Sequence, residues 1–196
     1  MHKFSITTPQ NMRQGGNIMA QISRVEARDI LFKLLFETEF RNGDDANAIY
    51  ALACESRDIP HNNYIKNTFF GVVSKSEVLD AIIGKYSKGW KADRLSKVSR
   101  TVIRIAVYEM LYADDIPANV SISQAVELTL KYGEDGAKRF VNGVLSGFFK
   151  DTNARGYEAV VAEALAEKEA AKAEAEPEAE VSSLEEATEA SEEENA

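Results

Sequence analysis

Val102-Ile103-Arg104-Ile105-Ala106-Val107-Tyr108 carries the fold assignment. It sits inside a longer segment, Leu95 to Tyr112, and wound at 3.6 residues per turn it is apolar on almost every side. A surface helix shows one apolar stripe, whereas a helix that is apolar all round has to be covered from several directions. The segment therefore predicts a central helix with others packed around it. Asp115-Ile116-Pro117 ends it, because proline lacks the N–H and clashes with the preceding turn.

Working outward, every neighbouring segment repeats the helical period. Towards the N-terminus, Ile65, Phe69, Val72, Val73, Leu79, Ile82, Ile83 and Tyr86 share a face and predict one helix from about Asn63 to Tyr86, followed by a turn at Gly89-Trp90. Asn42-Gly43-Asp44-Asp45 can cap a helix running to about Arg57, with Pro60 closing the connection after it. Ser23-Arg24-Val25-Glu26 has the pattern of a capping box, and Ala27, Ile30, Leu31, Leu34 and Leu35 follow at buried-face spacing. Towards the C-terminus a helix from about Ser121 stops at Gly133, and another from about Gly136 to Lys150 buries Phe140, Val141, Val144, Leu145 and Phe148. No strand-like alternation and no internal repeat occurs, so the fold class is all-α. The expected core includes Leu31, Leu35, Val73, Ile103, Ala106, Val126, Val141 and Val144.

Charge divides the chain. From Tyr157 to Ala196 there are 14 Glu against 2 Lys, so that stretch carries −12 and the remainder +3 of the overall −9. The domain reading is an N-terminal arm over 1–22, a helical domain over 23–152 and a low-complexity acidic tail over 153–196, broken by Pro177. Residues 1–18 admit two readings: a flexible arm, or a translated leader ahead of a start at Met19, since codons for Gln14-Gly15-Gly16 can spell a ribosome-binding sequence. The tail likewise reads as a solubilising extension, or as a segment that folds over the basic face and competes with RNA.

The catalytic motifs that sequence can reveal are missing. There is no glycine-rich phosphate loop and no nucleophile elbow. One cysteine, Cys54, and two histidines, His2 and His61, cannot supply a four-ligand zinc site or an internal disulfide. Cys54 precedes Glu55, which opposes thiolate formation, His61 beside Pro60 reads as a loop residue, and Asp114-Asp115 reads as a solvated turn. No run is apolar enough for a membrane span or a signal peptide, so no membrane association and a cytoplasmic location are expected. Arg24 and Arg28 stand one turn apart at the start of the first helix, where free N–H groups also favour a phosphate. Phe32 and Phe36 continue that face; an exposed ring there can stack on an unpaired base, and a buried one is core. Lys138-Arg139-Phe140 opens the last helix with the same ingredients, although Phe140 also fits the core period.

Four blocks, in order and at matching spacing, resemble the signature of the NusB family. They are Val102 to Met110, then Asp115-Ile116-Pro117, then Ile122 with Ala125-Val126-Glu127-Leu128, then Phe140-Val141-Asn142-Gly143-Val144-Leu145. Ser23 to Phe36 resembles that family's first helix, so the likeness spans about Ser23 to Lys150. The resemblance implies two small helical bundles packed across one another. It also implies a non-enzymatic, cofactor-free antitermination factor that binds boxA RNA of ribosomal operons together with the ribosomal protein NusE, helping RNA polymerase read through terminators. Carried over residue by residue, it assigns RNA contacts to Arg24, Arg28, Phe36, Lys138, Arg139 and Phe140, and the partner surface to Ser99, Arg100 and Ile103.

The sequence also departs from that pattern. Val25 and Glu26 stand where some members have arginines, which predicts weaker intrinsic RNA affinity and more reliance on the partner. Ser99 replaces a commonly acidic residue, Ser123-Gln124 replaces Asn-Glu, and Leu130 replaces a lysine. Two other readings stand beside this one. One is a helical interaction module or homodimer with weak RNA binding; the other is an RNA-binding domain related to those of rRNA methyltransferases.

Overall fold

The computed structural model describes residues 22–174 apart from 42 and 91–94. The N-terminal arm or leader and the distal tail lie outside the described residues. Seven helices follow in order: α1 Arg24–Thr38, α2 Ala46–Arg57, α3 Asn63–Ser74, α4 Ser76–Ser87, α5 Lys97–Tyr112, α6 Ala118–Tyr132 and α7 Ala137–Arg155. An eighth, α8, covers 157–174. No strand occurs among the described residues.

Local chemistry sets the helix starts. Ser23 Oγ accepts the Glu26 N–H at 3.2 Å while Glu26 Oε2 accepts the Ser23 N–H at 2.8 Å, completing the capping box of α1. Asp45, Asn62 and Ser96 cap α2, α3 and α5 through their side-chain oxygens. Pro117, with φ at −60°, precedes α6, which begins at Ala118 rather than near Ser121. Gly133 ends α6 with an ordinary negative φ of −90°. Its lack of a side chain matters for space: a Cβ there would sit 2.6 Å from the Thr129 carbonyl oxygen.

The single helix expected from Asn63 to Tyr86 is two. Lys75 leaves the helical region at φ −110° and ψ 15°, and Ser74 Oγ bonds back to the Gly71 carbonyl at 3.1 Å. The break re-aims the apolar face. Ile65, Phe69 and Val72 of α3 lie towards α1 and α5, whereas α4 carries Leu79, Ile82 and Ile83 against α5 and α7. This produces two small bundles, α1–α3 and α4–α7, with α5 packed against members of both. Val102, Ile103 and Val107 of α5 are completely covered. Of the expected core, Val73 and Val126 are only half-buried; the other residues are buried.

The boundary drawn at 153 falls inside α7, and the first part of the acidic segment is packed structure. After Gly156, at φ +84°, α8 seats Val160 and Ala164 in the core. Lys85 pairs with Glu163 at 2.9 Å and Glu167 at 2.7 Å, Arg155 with Glu163 at 2.6 Å, and Lys88 also reaches Glu167. Composition allows helix in the proximal part of this segment but hides its packing, because the buried face uses Val and Ala at helical spacing among many glutamates. Two of the five carboxylates on 157–174, Glu163 and Glu167, are matched by Lys85, Lys88 and Arg155.

Candidate nucleic-acid interface

Arg24 and Arg28, expected to act together, have separate fates. Arg28 is 3% exposed, and its Nε donates to Glu109 Oε1 at 2.7 Å. It is therefore not available to a phosphate. The reason lies on α5, where Glu109 is 1% exposed and a buried carboxylate without a cation is strongly unfavourable. Glu109 Oε1 also accepts the Tyr64 hydroxyl at 2.5 Å, and Oε2 accepts Ser121 Oγ at 2.6 Å. Four helices thus converge on one carboxylate, and among the described residues no buried side-chain N or O lacks a partner. Burial, then the neighbouring Glu109, pushes the Tyr64 phenol far above its ordinary range, so it stays a donor.

Arg24 remains at the surface. Its Nη2 donates to Asp115 Oδ2 at 2.9 Å, and its guanidinium lies 4.4 Å from the centre of the Tyr64 ring. The Asp114-Asp115 turn is solvated as expected, but Asp115 also binds this arginine.

Phe32 is buried and Phe36 half-buried, within a row of rings. Tyr132 stacks on Phe32 at 4.6 Å, Phe32 on Phe36 at 5.7 Å, and Phe36 meets Phe40 edge-on at 5.1 Å. The row ends at an exposed Phe40 with Lys97 Nζ 3.8 Å above its ring. At the other end Asp29 accepts from Lys131, Tyr132 and, in an ion pair, Lys33. Burial raises the Asp29 carboxyl, but hydrogen bonds from Lys131, Lys33 and Tyr132 outweigh it and bring the pKa to about 2.

Lys138 and Arg139 stand exposed in the first turn of α7, neither with an ion-pair partner among the described residues. They border a surface hollow with Leu130, Gly136 and Asn142. Phe140, expected beside them as a stacking surface, is 1% exposed and packs edge-on against Trp90 at 5.3 Å. It is core, because it falls on the same face of α7 as Val144 and Phe148.

The expected partner residues also divide. Ser99 is fully buried, accepting a hydrogen bond from Ser96 Oγ at 3.2 Å, and Ile103 is fully buried in the core. Only Arg100 reaches solvent, 3.6 Å from Glu39. His61 is an exposed loop residue, Cys54 is half-buried in α2, and no cluster of three metal-ligating side chains occurs among the described residues. Nor is any described helix long and apolar enough to cross a membrane.

Sequence reasoning missed Tyr64, Glu109 and Phe40. Glu109 did leave a signal: a lone carboxylate at the end of an apolar helix demands a buried donor, and Arg28 lies on the apolar side of α1.

The transcription antitermination protein NusB of Ruminiclostridium cellulolyticum is 44% identical over 126 residues, covering 64% of this chain and 87% of that protein. NusB of T. maritima superposes with a TM-score of 0.56 at 32% identity, covering 65% of this chain and 90% of that one. A crystal structure of the antitermination factors NusB and NusE in complex with dsRNA gives a TM-score of 0.57 at 29% identity, covering 65% of this chain and 96% of that one. Residues 25–150 match the NusB family, a span that takes in α1 after Arg24, α2 to α6 and most of α7 and ends before α8. On its fold, its sequence blocks and these matches, the chain belongs to the NusB family.

Proposed function

We propose that this protein is a transcription antitermination factor that binds boxA-type RNA of ribosomal RNA operons together with the ribosomal protein NusE, so that RNA polymerase reads through terminators. It acts in the cytoplasm by binding alone, with no catalysis and no cofactor. The observation that carries the reading is the pair Lys138 and Arg139, exposed and without an acidic partner among the described residues, in a family whose relatives bear the antitermination name. Exposed cations with no carboxylate to displace can neutralise phosphates directly and release the counterions of the nucleic acid. Arg24 and the half-buried Phe36 extend the surface along α1, and Arg100 marks the side offered to the protein partner.

Fluorescence anisotropy with a boxA-containing RNA and a scrambled RNA, each with and without NusE, tests this. Preference for boxA, strengthened by NusE, is the expected result. Equal binding of both RNAs even with NusE present removes the antitermination reading.

A further inference from the structure

Tyr64 joins two interactions that the RNA-binding reading leaves unused. Its hydroxyl donates to Glu109 Oε1, the same oxygen that accepts Arg28 Nε, while Ser121 holds the other oxygen. Turning the ring away would strip a donor from a buried carboxylate, a loss of about 1–3 kcal/mol. The ring is therefore fixed from below. The exposed Arg24 guanidinium lies 4.4 Å from the ring centre, and the buried Arg28 guanidinium 5.8 Å from it.

A free arginine side chain gives up about 2 kcal/mol of rotamer entropy when a ligand immobilises it. Stacked on a fixed ring, Arg24 has lost much of that freedom beforehand, and a planar guanidinium can stack by its face while its N–H edge stays open to an anion. That edge now meets Asp115 Oδ2 at 2.9 Å, with the aspartate side chain 67% exposed. Carboxylate and phosphate present the same paired anionic oxygens to a guanidinium, so Asp115 occupies the place a phosphate takes.

We propose that Tyr64 is a positioning residue for RNA: locked by buried Glu109, it holds the Arg24 guanidinium while Arg24 exchanges Asp115 for a backbone phosphate. This rests on the RNA-binding function proposed above.

The test measures affinity for a boxA-containing RNA across a salt series for wild type, Arg24→Ala, Tyr64→Phe, Tyr64→Leu and the Arg24→Ala/Tyr64→Leu double variant. Arg24→Ala is expected to weaken binding and flatten the salt dependence by about 0.7 in log–log slope, the loss of one single-strand phosphate contact. Tyr64→Leu should reproduce both changes, and the double variant should add nothing. Tyr64→Phe, which keeps the ring but loses the hydroxyl that locks it to Glu109, should fall between wild type and Tyr64→Leu in affinity and lower Tm, and wild-type affinity would show that the lock plays no part. Wild-type affinity in Tyr64→Leu, or additive losses in the double variant, would overturn the inference and leave RNA binding intact. No boxA binding by wild type would remove both.

A second readout needs no variant. The Arg24 side-chain proton resonances of the wild type should be displaced upfield by the Tyr64 ring and stay displaced when RNA is bound. Return of those resonances to ordinary positions on RNA addition would show that Arg24 leaves the ring, and would overturn the role assigned to Tyr64.

Discussion

Arg28 and Glu109 lie 81 positions apart and form an ion pair with side chains 4% and 1% exposed, at 2.7 Å. A pair this deep gains little over apolar residues of the same shape, but leaving one member alone is severe. Glu109→Leu, which strands the arginine, is expected to lower unfolding free energy by about 3–5 kcal/mol, as is Arg28→Met. The Arg28→Met/Glu109→Leu double variant should recover only part of the Glu109→Leu loss, because the Tyr64 and Ser121 hydroxyls stay without their acceptor. Urea denaturation of the three variants checks this, and additive losses would show that the two side chains are not coupled.

Asp115 competes with RNA for Arg24. Their bond is exposed, so it is weak in water. Asp115→Asn should tighten RNA binding by roughly two- to fivefold at low salt, with the gain fading as salt rises. Anisotropy titrations at two ionic strengths report this directly, and looser binding at low salt would contradict it.

Lys138 and Arg139 are exposed and make no ion pair among the described residues. Replacing both with alanine should leave Tm within a degree or two while flattening the salt dependence of RNA binding by about 1.4, from two lost phosphate contacts at about 0.7 each. A large fall in Tm would show instead that they support the fold.

The docking of α8 should depend on pH. Hydrogen bonds from Lys85 and then Lys88 hold the Glu167 carboxyl at about 2, below its ordinary 4.5, and Lys85 and then Arg155 lower Glu163 in the same direction. A depressed carboxyl stabilises the docked state above its undocked value, and that contribution is lost as pH falls through the docked one. The Val160 methyl resonances should accordingly keep their buried positions at neutral pH and lose them between about pH 4.5 and pH 2. Positions unchanged at the acid end would mean that apolar packing alone holds the helix. At neutral pH, Lys85→Ala should speed amide exchange over 157–174.

Much of this was legible beforehand because it is local. The capping box at Ser23, the Asp45 cap, the proline before α6 and the apolar period of α5 act within a turn or two of chain, so sequence spacing carries them. The same locality explains the errors. A helical period marks which side of α1 Arg28 occupies, but not that Glu109 of α5 arrives there to bury it. The resemblance puts Ser99 and Ile103 on the partner surface, whereas the apolar period of α5 already places Ile103 in the core, where it lies.

Sequence therefore established the all-α class, the helix boundaries to within a few residues, most of the core and the family. Tertiary structure assigned each cation to burial or to solvent, broke the long helix at Lys75 and recruited α8 into the fold. The physical reason is that helix formation is driven by neighbours a few residues apart. The fate of a charge depends instead on which distant group shares its low-dielectric surroundings, and only the folded chain brings Arg28, Tyr64, Glu109 and Ser121 together.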